Sequence, residues 1–273
     1  MARSESHSAF VGSIPILYDR TLVPMFFEPY ADDLASRLGN LNRGRLLELA
    51  AGTGVLTRAL ARTLPSAVEI VATDLNQPML DLAASRLSGR AVEWRQADAT
   101  SLPFADGAFD AVLCQFGVMF FSDKARAFRE AWRVLRPGGR FLFNVWTDIA
   151  ENDFANVVTK AVASLFPNNP PLFFAQVPHG YHDEAKIREA LNAVGLGQIN
   201  IEIVERRSCA ESARAAAIGL CQGTPLRNQI EDRDPSHLDE ATAAATKALS
   251  KTFGHGVIDA RMRALVVEAQ RLV

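Results

Sequence analysis

The sequence is poor in cysteine: three in 273 residues, Cys114, Cys209 and Cys221, far apart and with no Cys-x-x-Cys pair. That excludes a disulfide framework and a cysteine-ligated metal site, and it is read as a reducing compartment. Neither sign of charge is in excess. Lys plus Arg number 29 and Asp plus Glu 31, a net charge of −2, so there is no overall electrostatic footprint for nucleic acid or an anionic membrane. Long hydrophobic runs are missing too. The longest nearly apolar stretch, Ala111 to Phe121, contains Gln115 and Gly117 and falls far short of the ~20 residues that span a bilayer. The start, MARSESHSAF, lacks the apolar region of a signal peptide. The expectation is a cytoplasmic protein with no membrane span and no metal.

What is present is ordinary for a globular chain: 48% hydrophobic and 22% charged residues. A chain of this length buries roughly 70–75% of its unfolded surface without a staple. It is long enough for one large domain or two small ones.

Residues 1–40 read as an N-terminal helical cap segment with a polar, mobile first ten residues. Pro15, Pro24 and Pro29 break it into short pieces, and Tyr30 to Leu38 is helical, stopped at Gly39-Asn40. From residue 41 to 147 short apolar runs alternate with helical periodicity. Strands are expected at 45–50, 68–73, 91–97, 109–115 and 140–146, with helices at 54–64, 77–87 and 123–135. Residues 148–208 are an insertion, with an irregular Phe166-Pro167-Asn168-Asn169-Pro170-Pro171-Leu172-Phe173-Phe174 run, followed by a helix at 184–193 and a strand at 199–207. Residues 209–262 are Ala-rich and helical, a candidate lid broken at Gly223-Thr224-Pro225 and Asp234-Pro235. Residues 263–273 supply the last strand. The fold class is α/β, a doubly wound, seven-stranded, mostly parallel sheet with helical N-terminal and lid additions.

The segment Leu46 to Thr57, LLELAAGTGVLT, carries the first chemistry. A strand ends, Gly52 and Gly54 make the turn, and a helix begins. Glycine lets the backbone approach a ligand, and a helix N-terminus presents unpaired N–H groups. Gly-x-Gly alone also suits a dinucleotide, but Thr57 stands where that fingerprint wants Gly or Ala. Glu48, just before the turn, is poorly placed beside a phosphate and well placed for a cationic ligand. Asp74 ends the second strand, twenty residues beyond Gly54, where a carboxylate accepts both hydroxyls of a ribose. Asp98, after the third strand, can with the Ala99 amide bond the edge of an adenine. Three acidic residues ending three successive strands converge on one sheet edge, where open α/β folds bind ligands.

In ELAAGTGVLT, VATDLNQPML, ADATSLPFADGAFDAVLC and VLRPGGRFLF, in that order and spacing, the sequence resembles the class I S-adenosylmethionine-dependent methyltransferases, in particular the ubiquinone/menaquinone-biosynthesis group. The resemblance covers residues 45–146. It implies a Rossmann-like methyltransferase fold, with S-adenosyl-L-methionine as cofactor and S-adenosyl-L-homocysteine as product. It also implies roles. The backbone around Ala50, Gly52 and Gly54 packs on the methionine part, and Glu48 steers its ammonium group. Asp74 holds the ribose, Leu75 and Met79 sandwich the adenine, and Asp98 and Ala99 read its edge. Gln115 and Phe116 line the space by the sulfonium methyl. An NAD(P)-dependent oxidoreductase and a non-catalytic S-adenosylmethionine-binding protein are the competing readings.

The acceptor is expected to be a small, partly apolar molecule. Its pocket is expected from Tyr18, Met25, Phe26, Phe27, Tyr30, Phe154, Phe166, Phe173 and Phe174, with the helices at 209–262 as a lid. His179, Tyr181 and His182 are the candidate general bases, each more simply a packing or surface residue, and no catalytic residue is assigned. Asn169-Pro170-Pro171-Leu172 is similar to the Asn-Pro-Pro-aromatic motif of enzymes that methylate nucleic acid bases. Here it lies in the insertion, far from the fourth strand, so a nucleic-acid substrate is not expected. Oligomeric state is open.

Overall fold

The computed structural model describes residues 14–272; the polar start and Val273 lie outside the described residues. The N-terminal prolines do not interrupt helix as expected. Helix α1 (Ile14–Leu17), a π-helical segment (Tyr18–Phe27) and α2 (Glu28–Ser36) follow one another without a gap. Pro15 is the second residue of the run, where a missing N–H costs little, and Pro29 stands where the π-helical part passes into α2. Pro24 lies in the π-helical part, whose wider turn is closed by the Glu28 amide on the Val23 carbonyl, five residues back.

Five strands follow the expected alternation: β1 (Gly44–Leu49), α3 (Val55–Thr63), β2 (Val68–Asp74), α4 (Gln77–Arg86), β3 (Glu93–Gln96), β4 (Phe109–Gln115), α5 (Lys124–Val134) and β5 (Leu135–Trp146). Next come α6 (Asp153–Ala163), α7 (Phe173–Gln176), α8 (Glu184–Asn192), β6 (Leu196–Ala210), α9 (Ala213–Gln222), α10 (Leu226–Glu231), α11 (Leu238–Phe253) and β7 (Ile258–Arg271). The sheet order is β3-β2-β1-β4-β5-β7-β6. The first five strands pair in parallel, through crossovers that are helical except between β3 and β4, and the central strands β1, β2 and β4 are near-continuous apolar runs. On β7, Gln270 donates to the Gly138 carbonyl and Glu268 bonds Arg140. Rising residue numbers on β5 therefore meet falling ones on β7, and the pair is antiparallel. The order of connection reverses between β1 and β4, the switch point at which such sheets bind ligands.

Three elements differ from the sequence reading. β5 starts at Leu135, before the Pro137-Gly138-Gly139 stop. Leu135 stands opposite Phe109 and Arg140 opposite Ala111, so the proline-glycine run bulges out of the ladder within the strand. β7 starts at Ile258, earlier than 263. Its buried positions Ile258, Ala260, Met262 and Ala264 alternate with more exposed ones, a period of two masked by alanines and arginines. Within the irregular run, Phe173 and Phe174 open the short helix α7.

The chain divides into two compact units. The sheet unit holds Pro29–Val145, His182–Val204 and the residues from Leu265 on. Its core is built on Leu46, Leu47, Val112, Phe141 and Phe143, all fully buried. The helical unit holds the residues up to Glu28, Trp146–Tyr181 and Glu205–Ala264. Its core gathers Leu22, Met25, Phe154, Val158, Ala217 and Leu249 from α6, α9, α11 and the π-helical segment.

Candidate functional site

The turn after β1 puts three residues in five into the left-handed region: Ala50 at φ +52°, Gly52 at +55° and Gly54 at +78°. The two glycines serve different ends. A Cβ on Gly54 would lie 2.9 Å from the Ala83 Cβ of α4, so this glycine permits close packing. A Cβ on Gly52 would meet nothing within 4 Å, so this position faces open space and needs glycine only for its backbone. Ala50 pays the left-handed cost, roughly 1–2 kcal/mol, which places strain at the mouth of the turn.

Asp74 ties the turn to the end of β2. Its Oδ2 accepts the Gly52 amide at 2.9 Å and its Oδ1 accepts the Asn76 amide at 2.8 Å. Burial raises its carboxyl above the usual range, and the two amides draw it back. Each oxygen keeps further acceptor capacity, the requirement for holding a vicinal diol. The loop after β3 is drawn to the same place, since the Ala97 amide donates to the Asp74 carbonyl at 3.0 Å. Asp98 in that loop is exposed. Its Oδ1 closes a local turn on the Thr100 amide and hydroxyl at 2.7 and 2.8 Å. Ala99 and Leu75 are half-buried, and Met79 on α4 is buried.

Glu48 is 1% exposed in β1, and its Oε2 accepts the Thr57 hydroxyl of α3 at 2.6 Å. Burial pushes its carboxyl up to about 8, against the lowering effect of Thr57 and with the charge of Asp74 adding to the rise. At neutral pH the neutral form therefore prevails. Thr57 thus has a positive reason to stand where a dinucleotide site carries glycine. Thr53, inside the turn, is 1% exposed and its hydroxyl has no partner among the described residues. The sequence reading assigned no role to Thr53, and treated Thr57 only as a mismatch. A hydroxyl inside a glycine turn was the available signal.

At the end of β4, Gln115 and Phe116 are buried and Phe116 has φ +49°. The Phe116 amide donates to Asn144 Oδ1 at 2.8 Å. The amides of Gly117 and Val118 bond the Cys114 sulfur. A Cβ on Gly117 would lie 2.6 Å from the Ala50 Cβ and 2.7 Å from Cys114 Sγ. Gly117 therefore lets this corner close against the glycine-rich turn. Neither Gly117 nor Asn144 was singled out from sequence, because their partners lie far away in the chain.

The sheet unit thus brings Glu48, Ala50, Gly52, Gly54, Asp74, Leu75, Met79, Asp98, Ala99, Gln115 and Phe116 to the carboxyl ends of β1 to β4. Tyr30 also belongs to this unit. It is fully buried, its hydroxyl donates to the Val204 carbonyl at 2.9 Å, and its ring meets Phe116 edge-on at 5.2 Å. It is a buttress of Phe116 rather than an open pocket wall.

The other expected acceptor residues lie in the helical unit. Met25, Phe154, Phe173 and Phe174 are buried in its core. Tyr18, Phe26, Phe27 and Phe166 are only partly buried. Tyr18 stacks on Phe27 at 5.2 Å, and Phe26 and Phe27 each lie 6.1 Å from the Trp146 ring. His179 is buried beside Trp146 with Nδ1 2.8 Å from the Thr147 carbonyl, which assigns the proton to Nδ1. Burial pushes the Tyr181 hydroxyl up to about 12, so it stays protonated at neutral pH. The Asn-Pro-Pro run has a structural explanation: Arg233 binds the carbonyl of Asn169 at 2.6 Å and its side chain at 3.0 Å. No helix among the described residues is long and apolar enough to cross a membrane, and no group of side chains among them could hold a metal ion.

Residues 47–143 match a family described as methyltransferase domain. The demethylmenaquinone methyltransferase of Thermus thermophilus is 47% identical over 100 residues, 36% of this chain and 45% of the relative. The ubiquinone/menaquinone biosynthesis C-methyltransferase UbiE of Hahella chejuensis is 42% identical over 101 residues, 36% of this chain and 41% of the relative. The chain thus spans less than half the length of these curated relatives. The crystal structure of the YcgJ protein from Bacillus subtilis shares the fold. It has a TM-score of 0.57 and 21% identity, over 90% of this chain and 99% of that one. Strand order, glycine-rich turn and sequence match agree that over residues 45–146 the chain is similar to the class I S-adenosylmethionine-dependent methyltransferases, in particular to the ubiquinone/menaquinone-biosynthesis group.

Proposed function

We propose that the chain transfers a methyl group from S-adenosyl-L-methionine to a small, partly apolar molecule by in-line displacement, releasing S-adenosyl-L-homocysteine. The observation that carries this reading is Asp74, a buried carboxylate at the end of β2 bonded to the Gly52 amide. One contact joins the diol-binding group to the turn that the backbone of an amino acid moiety can approach.

The residues present fit the cofactor. Gly52 faces open space, Thr53 offers a buried hydroxyl without a partner among the described residues, and Asp74 keeps acceptor capacity. Asp74 would hold the ribose hydroxyls, Leu75 and Met79 the adenine faces, and Asp98 with Ala99 the adenine edge. The backbone at Ala50, Gly52 and Gly54 would take the methionine part. Gln115 and Phe116 would line the methyl side. S-adenosylmethionine supplies, when bound, a methyl group already activated by its sulfonium. The protein's task is then to orient the nucleophile and exclude water, and such placement supplies roughly 7–11 kcal/mol of a bimolecular barrier. Glu48 would meet the cofactor's ammonium only by giving up its proton, so the Thr57 contact is its ground state and ionisation would accompany binding.

For the acceptor we propose a flat, partly apolar ring of quinol type. The names of the relatives support this. The test is transfer of a labelled methyl group to reduced 1,4-naphthoquinone, with S-adenosylhomocysteine measured in parallel. Labelled, organic-soluble product in step with S-adenosylhomocysteine is expected. Tight S-adenosylhomocysteine binding with no transfer to any quinol or phenol would contradict the acceptor class and leave the cofactor standing.

A further inference from the structure

Asn144 is an unusual residue for its place. It lies in β5, fully buried, opposite Gln115 in the ladder. Both neighbouring strands are otherwise apolar there, with Leu113, Cys114, Leu142 and Phe143 also fully buried. One end of its amide is used: Oδ1 accepts the Phe116 amide at 2.8 Å. The other end, Nδ2, has no partner among the described residues. The orientation is fixed, because only the oxygen can face an N–H. A buried donor left unmade costs about 1–3 kcal/mol, and leucine of similar size would avoid it. The Nδ2 end therefore gives no reason for asparagine here.

The reason lies in what the oxygen holds. After Gln115 the chain turns sharply, with Phe116 in the left-handed region, where a non-glycine residue is disfavoured by roughly 1–2 kcal/mol. Its amide leaves the ladder and needs an acceptor. Asn144 provides one from the adjacent strand, while the Cys114 sulfur accepts the next two amides, Gly117 and Val118. Every amide of the corner from 116 to 118 is thereby satisfied without extending the sheet. Edge contact with Tyr30 fixes the Phe116 ring, and Gly117 seats the corner on Ala50.

We infer that Asn144 is a positioning residue for the methyl-transfer site: it holds Phe116, and with it Gln115, in the strained corner that lines the sulfonium side of the cofactor. The inference rests on the methyltransferase reading. It makes Asn144 act through the backbone of Phe116, with no contact of its own to the reacting atoms.

The experiment compares wild type, Asn144→Leu and Asn144→Asp, with S-adenosylhomocysteine as the probe. Dissociation constants, melting temperatures and exchange of the Phe116 amide are measured together. Leucine removes the acceptor and should weaken binding by tenfold or more, with fast exchange at Phe116 and a melting temperature close to wild type. Aspartate keeps an acceptor oxygen and should hold affinity within about threefold and retain slow exchange. Unchanged affinity and slow exchange in Asn144→Leu would overturn the inference, whatever the aspartate variant does. Loss of affinity that only tracks a fall in melting temperature in both variants would also overturn it, in favour of a plain structural role. Wild type that fails to bind S-adenosylhomocysteine would instead overturn the cofactor reading itself.

Discussion

The Gly52 amide donates to Asp74 Oδ2 at 2.9 Å, across twenty-two residues of chain. This bond joins the end of β1 to the end of β2 and aims both at the same opening. The turn after β1 points the Gly52 amide at the carboxylate. The carboxylate, further held by the Asn76 amide, is fixed before any ligand arrives. Preorganisation of this kind lowers the ordering cost of binding.

Asp74→Asn is therefore predicted to be informative. It keeps the size of the side chain and one acceptor, but a carboxamide nitrogen cannot accept the Gly52 amide. With hydrogen bonds to a charged group worth roughly 1.5–3 kcal/mol each, S-adenosylhomocysteine affinity should fall by about tenfold to a few hundredfold. Calorimetric titration measures it, and an affinity within twofold of wild type would contradict the role.

Glu48 gives a pH dependence with a defined sign. Its folded value, about 8, lies above that of an ordinary carboxyl. The folded state thus holds a proton that the unfolded state has released. Its contribution is complete below the ordinary carboxyl range and is lost as pH rises towards 8, by on the order of 1 kcal/mol per pH unit within the window. Glu48→Gln keeps an acceptor for Thr57 and cannot ionise. Denaturant melts at pH 5, 6.5 and 8 should show wild type losing stability relative to Glu48→Gln as pH rises. A constant difference would show that the proton is not held.

The two glycine positions separate stability from binding. Gly117→Ala forces a methyl group against Ala50 and Cys114, and overpacking of this kind costs typically 1–3 kcal/mol. Gly52→Ala meets no protein atom and suffers mainly from its φ of +55°, while its methyl enters the space assigned to the cofactor. The prediction is a larger fall in melting temperature for Gly117→Ala and a larger loss of S-adenosylhomocysteine affinity for Gly52→Ala. The reverse ranking would contradict the assignment of open space at Gly52 to the ligand.

Most of the sheet was legible because β1, β2 and β4 are buried on both faces and read as short apolar runs between glycine and proline punctuation. The candidate site was legible where it follows the chain: Glu48 to Gly54 on one turn, Asp74 at a strand end. It was not legible where it depends on partners distant in sequence. Asn144 meets Phe116 only through strand pairing, and Gly117 meets Ala50 only when the switch point closes. The N-terminal segment was expected to be helical but broken into pieces, and its continuity has a local reason. Three prolines predict breaks, but Pro15 sits at the start of the run, Pro24 in a π-helical turn that leaves room for it, and Pro29 where that turn passes into α2. The start of β7 was missed because Ala260 and Ala264 bury like core residues yet look like helix formers. The Asn-Pro-Pro run is a loop clamped by Arg233, a contact between residues 64 apart that the sequence does not show.

The most direct test of the central claim is thermal stability with S-adenosylmethionine, S-adenosylhomocysteine and NADH in parallel, for wild type and Asp74→Ala. A ligand at about 100 times its dissociation constant adds roughly 2.7 kcal/mol, which for a chain of this size raises the midpoint by about 5–10 °C. The account predicts a rise with the two adenosyl ligands, none with NADH, and none in Asp74→Ala. A rise with NADH alone, or no rise with either adenosyl ligand, would contradict it.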